Sequence, residues 1–268
     1  MALLHYDFKS FVLQTSTSFY AVLPENDVLM KGGLQVLYLL HGMGDDHTKW
    51  VRRTNLEQYC KDYQVVVIMP QVEKSFYCNM AYGENYWDFL TEELPSLVKN
   101  LLPISTKRED TFVAGLSMGG FGAFKWALNK PESFSAAASF SGALDIEHFF
   151  FYQQFNRDSP ENDLATVDNL DTLRNAIFGD TPIRASENDL VYLLQKNSDN
   201  HKKLPSLYQL CGTEDPILNY NQAFHATAKK IPTLDYHYHL SSGSHDWVYW
   251  DECIRQTLDF FKLRKKLK

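Results

Sequence analysis

The run Asp110-Thr-Phe-Val-Ala-Gly-Leu-Ser-Met-Gly-Gly-Phe-Gly-Ala-Phe-Lys-Trp-Ala-Leu128 constrains this chain more than any other stretch. Thr111 to Ala114 is short and apolar, as a strand buried on both faces requires. Gly119 to Leu128 reads as a helix ending near Asn129, with Pro131 as the stop. Between them, Gly115-Leu-Ser117-Met-Gly119 has G-x-S-x-G spacing in a strand–turn–helix setting. A turn this tight strains the backbone of the central residue, and side chains two positions to either side would collide, hence glycine at both places. The Ser117 hydroxyl is then expected to project from the sheet edge, with a helix N-terminus behind it that favours developing negative charge.

The rest of the chain repeats the same alternation. Leu34–Leu40, Gln64–Met69, Phe134–Phe140, Ser206–Cys211 and Leu234–Leu240 read as strands. Helical spacing is found at 56–62, 89–101 (despite Pro95), 219–230 and 246–267. Two further strands are expected at 3–8 and 18–23. Alternation of this kind predicts an α/β protein: a mostly parallel central sheet flanked by helices. Residues 143–204 break the rhythm. They are aromatic at the start, otherwise polar, and carry two expected helices, near 167–178 and 187–197. One domain spanning 1–268 is expected, with 143–204 inserted as a helical cap over a binding site.

Composition narrows the function classes. An apolar share of 44% supports a large packed core, and a net charge of −7 argues against nucleic acid as a partner. The basic run Lys262-Leu-Arg-Lys-Lys266 reads as a solvated helix end. No apolar stretch reaches membrane-spanning length. The opening residues lack the basic start and long apolar run of a secretory leader, and Cys60, Cys78, Cys211 and Cys253 are scattered with no C-x-x-C pair. A reduced, cytoplasmic protein with buried thiols is the simplest expectation.

A serine hydroxyl needs a base to act as a nucleophile at neutral pH, and the base needs an acid to orient it. Two later strands end in loops that can supply them. Gly212-Thr-Glu-Asp215-Pro follows Cys211, and Gly243-Ser-His245 follows the last strand. The order Ser117, Asp215, His245 is thus the expected catalytic set, with Glu214 competing with Asp215 for the acid role. The Met118 amide, next to the nucleophile, and the Met43 amide, in His41-Gly42-Met43-Gly44 after a central strand, are expected to form the oxyanion hole. His237 and His239 alternate on one strand face without nearby acidic or cysteine ligands, so no metal is expected.

These motifs carry a resemblance. His41-Gly-Met-Gly-Asp-Asp46, Gly115-Leu-Ser-Met-Gly-Gly120, Cys211-Gly-Thr-Glu-Asp215, Gly243-Ser-His-Asp-Trp247 and Tyr86-Trp-Asp-Phe-Leu-Thr-Glu-Glu-Leu-Pro95 together resemble the esterase D-like branch of the α/β-hydrolases. The nearest look-alikes are the tributyrin esterases of lactic acid bacteria and streptococci. S-formylglutathione hydrolases and mycolyltransferases belong to the same branch. Gly44 and Asp45 stand where the former usually carry a cysteine. The resemblance implies an α/β-hydrolase fold and hydrolysis of short-chain carboxylic esters through an acyl-enzyme, without a metal or organic cofactor. Thioesters, acetylated or feruloylated sugars, and a non-catalytic binding role on the same fold remain the alternatives.

The aromatic loop at 76–87 and the segment beginning at Phe149 are the candidate walls for a small-molecule ester, with Tyr77, Tyr82, Trp87 and Phe150 as expected contacts. The aromatic insertion would serve equally as a cap or as an interface, which leaves homo-oligomerisation open.

Overall fold

The structure, a computed structural model, describes residues 1–25, 33–155 and 170–266, with the backbone alone for 152–155. Its centre is an eight-stranded sheet: β1 (Ala2–Lys9), β2 (Ser16–Leu23), β3 (Gln35–Leu40), β4 (Val65–Pro70), β5 (Thr111–Leu116), β6 (Ala136–Phe140), β7 (Ser206–Gly212) and β8 (Tyr236–Ser241). They lie in the order β1-β2-β4-β3-β5-β6-β7-β8. The first two form an antiparallel hairpin, and β2 joins β4 antiparallel. All pairings from β4 to β8 are parallel. β3, β4 and β6 are buried at every position, which is why they read as unbroken apolar runs.

Helices cover both faces. They are α1 (Lys49–Arg53), α2 (Leu56–Cys60), α3 (Tyr86–Asp88), α4 (Leu94–Leu101), α5 (Met118–Asn129), α6 (Ile146–Phe155), α7 (Leu170–Phe178), α8 (Leu190–Asp199), α9 (Leu218–Ala228) and α10 (Trp247–Phe260). Two cores result. One packs the aromatic loop and residues of α4 to α9 on one face, and the other packs α2 and α10 on the opposite face. α5 is enclosed along almost its whole length: every residue from Met118 to Leu128 is buried.

Some expectations are corrected. The helix around Pro95 forms, but through a π-helical turn at Phe89–Glu93 that joins α3 to α4 and takes the proline at the start of a new α-helical segment. The last helix stops at Phe260 rather than running to 267, because Lys262 takes a left-handed φ of 52°. The basic run is therefore not a solvated helix end. Leu263 is buried, Lys265 bridges Tyr63, and Arg264 pairs with Asp110 at 3.2 Å. α6 was not expected, since its apolar residues are adjacent in sequence rather than spaced at helical intervals. Of the helix expected near 167–178, residues 167–169 lie outside the described residues, and the remainder is α7.

Candidate active site

The C-terminal ends of the parallel strands deliver the site. β5 runs into Ser117, whose φ of 52° and ψ of −118° is a conformation rarely open to non-glycine residues. The surroundings over-determine it. The Ser117 amide donates to Phe140 O at 2.9 Å, and its carbonyl accepts from Phe121 at 3.1 Å and Ala143 at 3.3 Å. A Cβ on Gly115 would meet the Gly119 backbone, and one on Gly119 would meet the carbonyls of Leu40 and His41, so strand, turn and helix close directly on one another.

The loops after β7 and β8 bring two further groups to this turn. The Asp215 side chain is fully enclosed, and the Nδ1–H of His245 donates to its two oxygens at 3.2 and 3.1 Å. With Nδ1 protonated by that partnership, Nε2 is the acceptor and receives the Ser117 Oγ–H at 3.0 Å. The His245 ring stands edge-on to Trp250 at 4.9 Å between centroids. Glu214, the competing acid, points elsewhere. It is exposed, and accepts from the Gly243 amide at 2.6 Å and from Thr213 Oγ1–H at 2.7 Å. Those bonds, the Gly243 amide foremost, hold its carboxyl below the ordinary value. Its place is to fasten the 242–244 loop.

The His41–Gly44 loop lies beside the serine. His41 is buried and acts as a fixed strut. Its Nδ1–H donates to Gly42 O at 2.8 Å, and its Nε2 accepts the Val72 amide at 3.2 Å. Burial lowers its pKa to about 4, against opposing pulls from the Gly42 carbonyl and Asp46, so the ring is neutral at ordinary pH. Met43 and Met118 both line a cavity of about 340 Å3 above Ser117. Its other walls include Phe76, Leu116, Phe149, Trp247 and Trp250. The charged side chains on the wall are Asp45 and Asp246. Burial raises the Asp45 carboxyl, and Lys49 at 3.5 Å pulls it back. Asp246 caps α10 by accepting the Tyr249 amide at 2.9 Å.

None of the four expected aromatic contacts is among the residues that line this cavity. Tyr77 is fully buried beneath it and donates its hydroxyl to His41 O at 2.8 Å. Trp87 lies over the buried ammonium of Lys125, 4.3 Å from ring centroid to Nζ. Tyr82 is 69% exposed. Phe150 packs at 5.0 Å on Phe76 and presents its other side to a separate groove. The residues that do face the cavity, Phe76 and Phe149, are immediate sequence neighbours of Tyr77 and Phe150. The sequence carried no signal for which member of each pair turns inward. His237 faces outward and pairs with Asp235 at 3.0 Å. Among the described residues, no group of three or more His, Cys, Asp or Glu side chains could hold a metal ion. No helix among them is long and apolar enough to cross a membrane.

A serine, histidine and carboxylate in one hydrogen-bonded line, at the strand ends of such a sheet, define a class of hydrolase. Comparison with known proteins gives the family. Residues 10–261 match the family described as "Putative esterase", and the chain belongs to it. It is 28% identical over 270 residues to an acetyl esterase of Caldicellulosiruptor saccharolyticus, covering 97% of this chain and 98% of that protein. Among solved structures it is similar to FphF, a fluorophosphonate-binding serine hydrolase of Staphylococcus aureus, with a TM-score of 0.84 and 30% identity over 97% of this chain and 98% of that one. The S-formylglutathione hydrolase FrmB of the same organism aligns with a TM-score of 0.82, 30% identity and the same coverage. The fold is that of the α/β-hydrolases, and the protein is a carboxylic ester hydrolase.

Proposed function

We propose that the protein is a serine carboxylesterase that hydrolyses short-chain acyl esters of uncharged alcohols through an acyl-enzyme on Ser117. The observation that carries this reading is the continuous line from Asp215 through His245 to Ser117 at the floor of the cavity. Ser117 Oγ gives its proton to His245 Nε2 as it attacks the ester carbonyl, and Asp215 stabilises the resulting imidazolium. The amides of Met118 and Met43 receive the oxyanion. His245 then protonates the departing alcohol, and water enters by the reverse roles to release the acid.

Two features narrow the substrate. The cavity of about 340 Å3 is walled in part by Phe76, Leu116 and Phe149, which favours small acyl groups, in keeping with the acetyl esterase relative. The likeness to FrmB raises a glutathione thioester as a second substrate. Glutathione carries two carboxylates, however, and the residues lining the cavity include Asp45 and Asp246 but no lysine or arginine that could pair with them. Residues 143–204 serve in this reading as a cap: Phe149 reaches the cavity, and the amides of Ala81 and Tyr82 donate to Ile177 O and Ala176 O at 2.9 Å each. The four cysteines are free and buried, which suits a reducing cytoplasm.

The test is hydrolysis of p-nitrophenyl esters from acetate to laurate by wild type and Ser117→Ala. Fast turnover confined to the short esters and lost in the variant is the expected result. Turnover that persists without Ser117, or that rises towards laurate, contradicts the reading.

A further inference from the structure

Lys125 has no part in the chemistry above, yet it is fully buried on α5, the helix that Ser117 caps. Taking an ammonium out of water is costly unless its donors are satisfied. Here its partners are neutral, and the two that accept its hydrogen bonds are adjacent in one short loop. Nζ donates to Tyr77 O at 2.9 Å and to Cys78 Sγ at 3.2 Å, and lies over the Trp87 ring. The Cys78 thiol in turn reaches Asn188 Oδ1 at 3.3 Å, in the segment between α7 and α8.

That loop is strained. Phe76 and Tyr77 take left-handed φ values of 50° and 56°, and neither is glycine. Consecutive residues of this kind persist only where the surroundings hold them. Several contacts do so besides Lys125. The Tyr77 amide donates to Ser75 Oγ at 3.1 Å, and the Tyr77 ring lies flat on α5, where any side chain at Gly122 would collide with it. The double turn sends the two aromatics in opposite directions. Phe76 goes up into the cavity wall, and Tyr77 goes down so that its hydroxyl donates to His41 O at 2.8 Å. That carbonyl is also what a Cβ on Gly119 would strike. It belongs to the peptide immediately before the one that carries the Met43 amide.

We infer that Lys125 and Tyr77 are positioning residues for the oxyanion hole. The buried ammonium locks the 76–78 turn, and the Tyr77 hydroxyl then fixes the tilt of the His41–Gly42 peptide and so aims the Met43 amide at the developing oxyanion. Nucleophile helix, cavity wall and oxyanion loop are thereby set by one tether. The inference rests on the esterase reading given above.

Wild type, Ser117→Ala and Tyr77→Phe are compared on p-nitrophenyl butyrate, with wild-type and Tyr77→Phe rates expressed per active site titrated by a fluorophosphonate and Ser117→Ala rates per mole of protein. Tyr77→Phe removes one hydroxyl and keeps the ring on α5. A misaimed oxyanion donor should lower kcat by ~10- to 100-fold with KM within ~2-fold. Affinity for an alkylboronic acid, whose adduct carries the tetrahedral oxygens, should weaken by a similar factor. Lys125→Met should give the same kcat loss. The double variant should lose little more than the worse single one, because both changes break the same tether. If Lys125→Met cannot be purified folded, the Tyr77→Phe result decides alone. Unchanged kcat per titrated site and unchanged boronate affinity in Tyr77→Phe, with Ser117→Ala inactive, overturn the tether and leave the esterase reading standing. Full turnover in Ser117→Ala overturns both.

Discussion

The two ends of the parallel strands are held together in different ways. At the C-terminal end, several non-glycine residues take left-handed backbones, among them Phe76, Tyr77, Ser117 and Ser141; the Ser117 amide is held by Phe140 O, the Ser141 amide by Leu210 O, and the Tyr77 hydroxyl by His41 O. At the N-terminal end the chain is tied off by a polar clasp. Arg264 pairs with Asp110 at 3.2 Å and donates to Gly33 O at 3.0 Å, while its amide reaches Gln35 Oε1 at 2.6 Å. Gln35 closes the ring by donating to Asp110 Oδ1 at 3.3 Å. The rim spends conformational freedom on aiming a few groups, and the clasp spends a tail on fastening the sheet. Activity and stability should therefore respond separately to changes at the two ends.

The sharpest test of that separation is Ser117→Ala, which should lower kcat/KM by at least ~10^4-fold while leaving the thermal midpoint near wild type. A comparable loss of stability would break the contrast. Asp215→Asn comes next, with a loss of ~10^3- to 10^4-fold, because the amide favours the wrong tautomer of His245. Glu214→Gln, one residue away, should cost less than ~10-fold; equal losses in a kinetic comparison would mean that Glu214 also serves the histidine.

His41 bears on both activity and stability, since it braces the His41–Gly44 loop, proposed to hold the oxyanion, and is buried in neutral form. Its folded pKa lies near 4, below the ordinary 6.5. The neutral ring contributes its full stability above pH 6.5, and that contribution is lost as pH falls towards 4, because the unfolded chain takes up the proton first. Denaturation in urea at pH 7.5 and pH 4.5 should show wild type losing up to ~3 kcal/mol more than His41→Asn over that interval. Parallel losses would remove His41 as the cause. The smallest effect is expected at the clasp. Arg264→Ala should cost ~1–3 kcal/mol in unfolding free energy, by leaving Asp110 without its cation, with kcat/KM within ~2-fold of wild type.

Much of the rim was legible in the sequence because its polar groups sit at strand ends, where short motifs report local geometry. Gly115-Leu-Ser117-Met-Gly119, Asp215 and His245 each follow a segment readable as a strand, and the sheet then brings them together. The cavity wall was not legible in this way. Whether Phe76 or Tyr77, and Phe149 or Phe150, faces the substrate is decided by a left-handed turn and by packing against distant residues such as Gly122 and Lys125. The end of α10 was misjudged for a related reason. Leu263 continues the apolar spacing, but it is buried after the turn at Lys262, in the extended tail that forms the clasp.

The most direct test of the central claim is to label the protein with a fluorophosphonate and map the adduct by peptide mass spectrometry while following esterase activity. The account predicts one adduct per chain, on Ser117, with hydrolysis lost in proportion to labelling and no labelling of Ser117→Ala. An adduct on another residue, or full activity in protein whose Ser117 is modified, would contradict it.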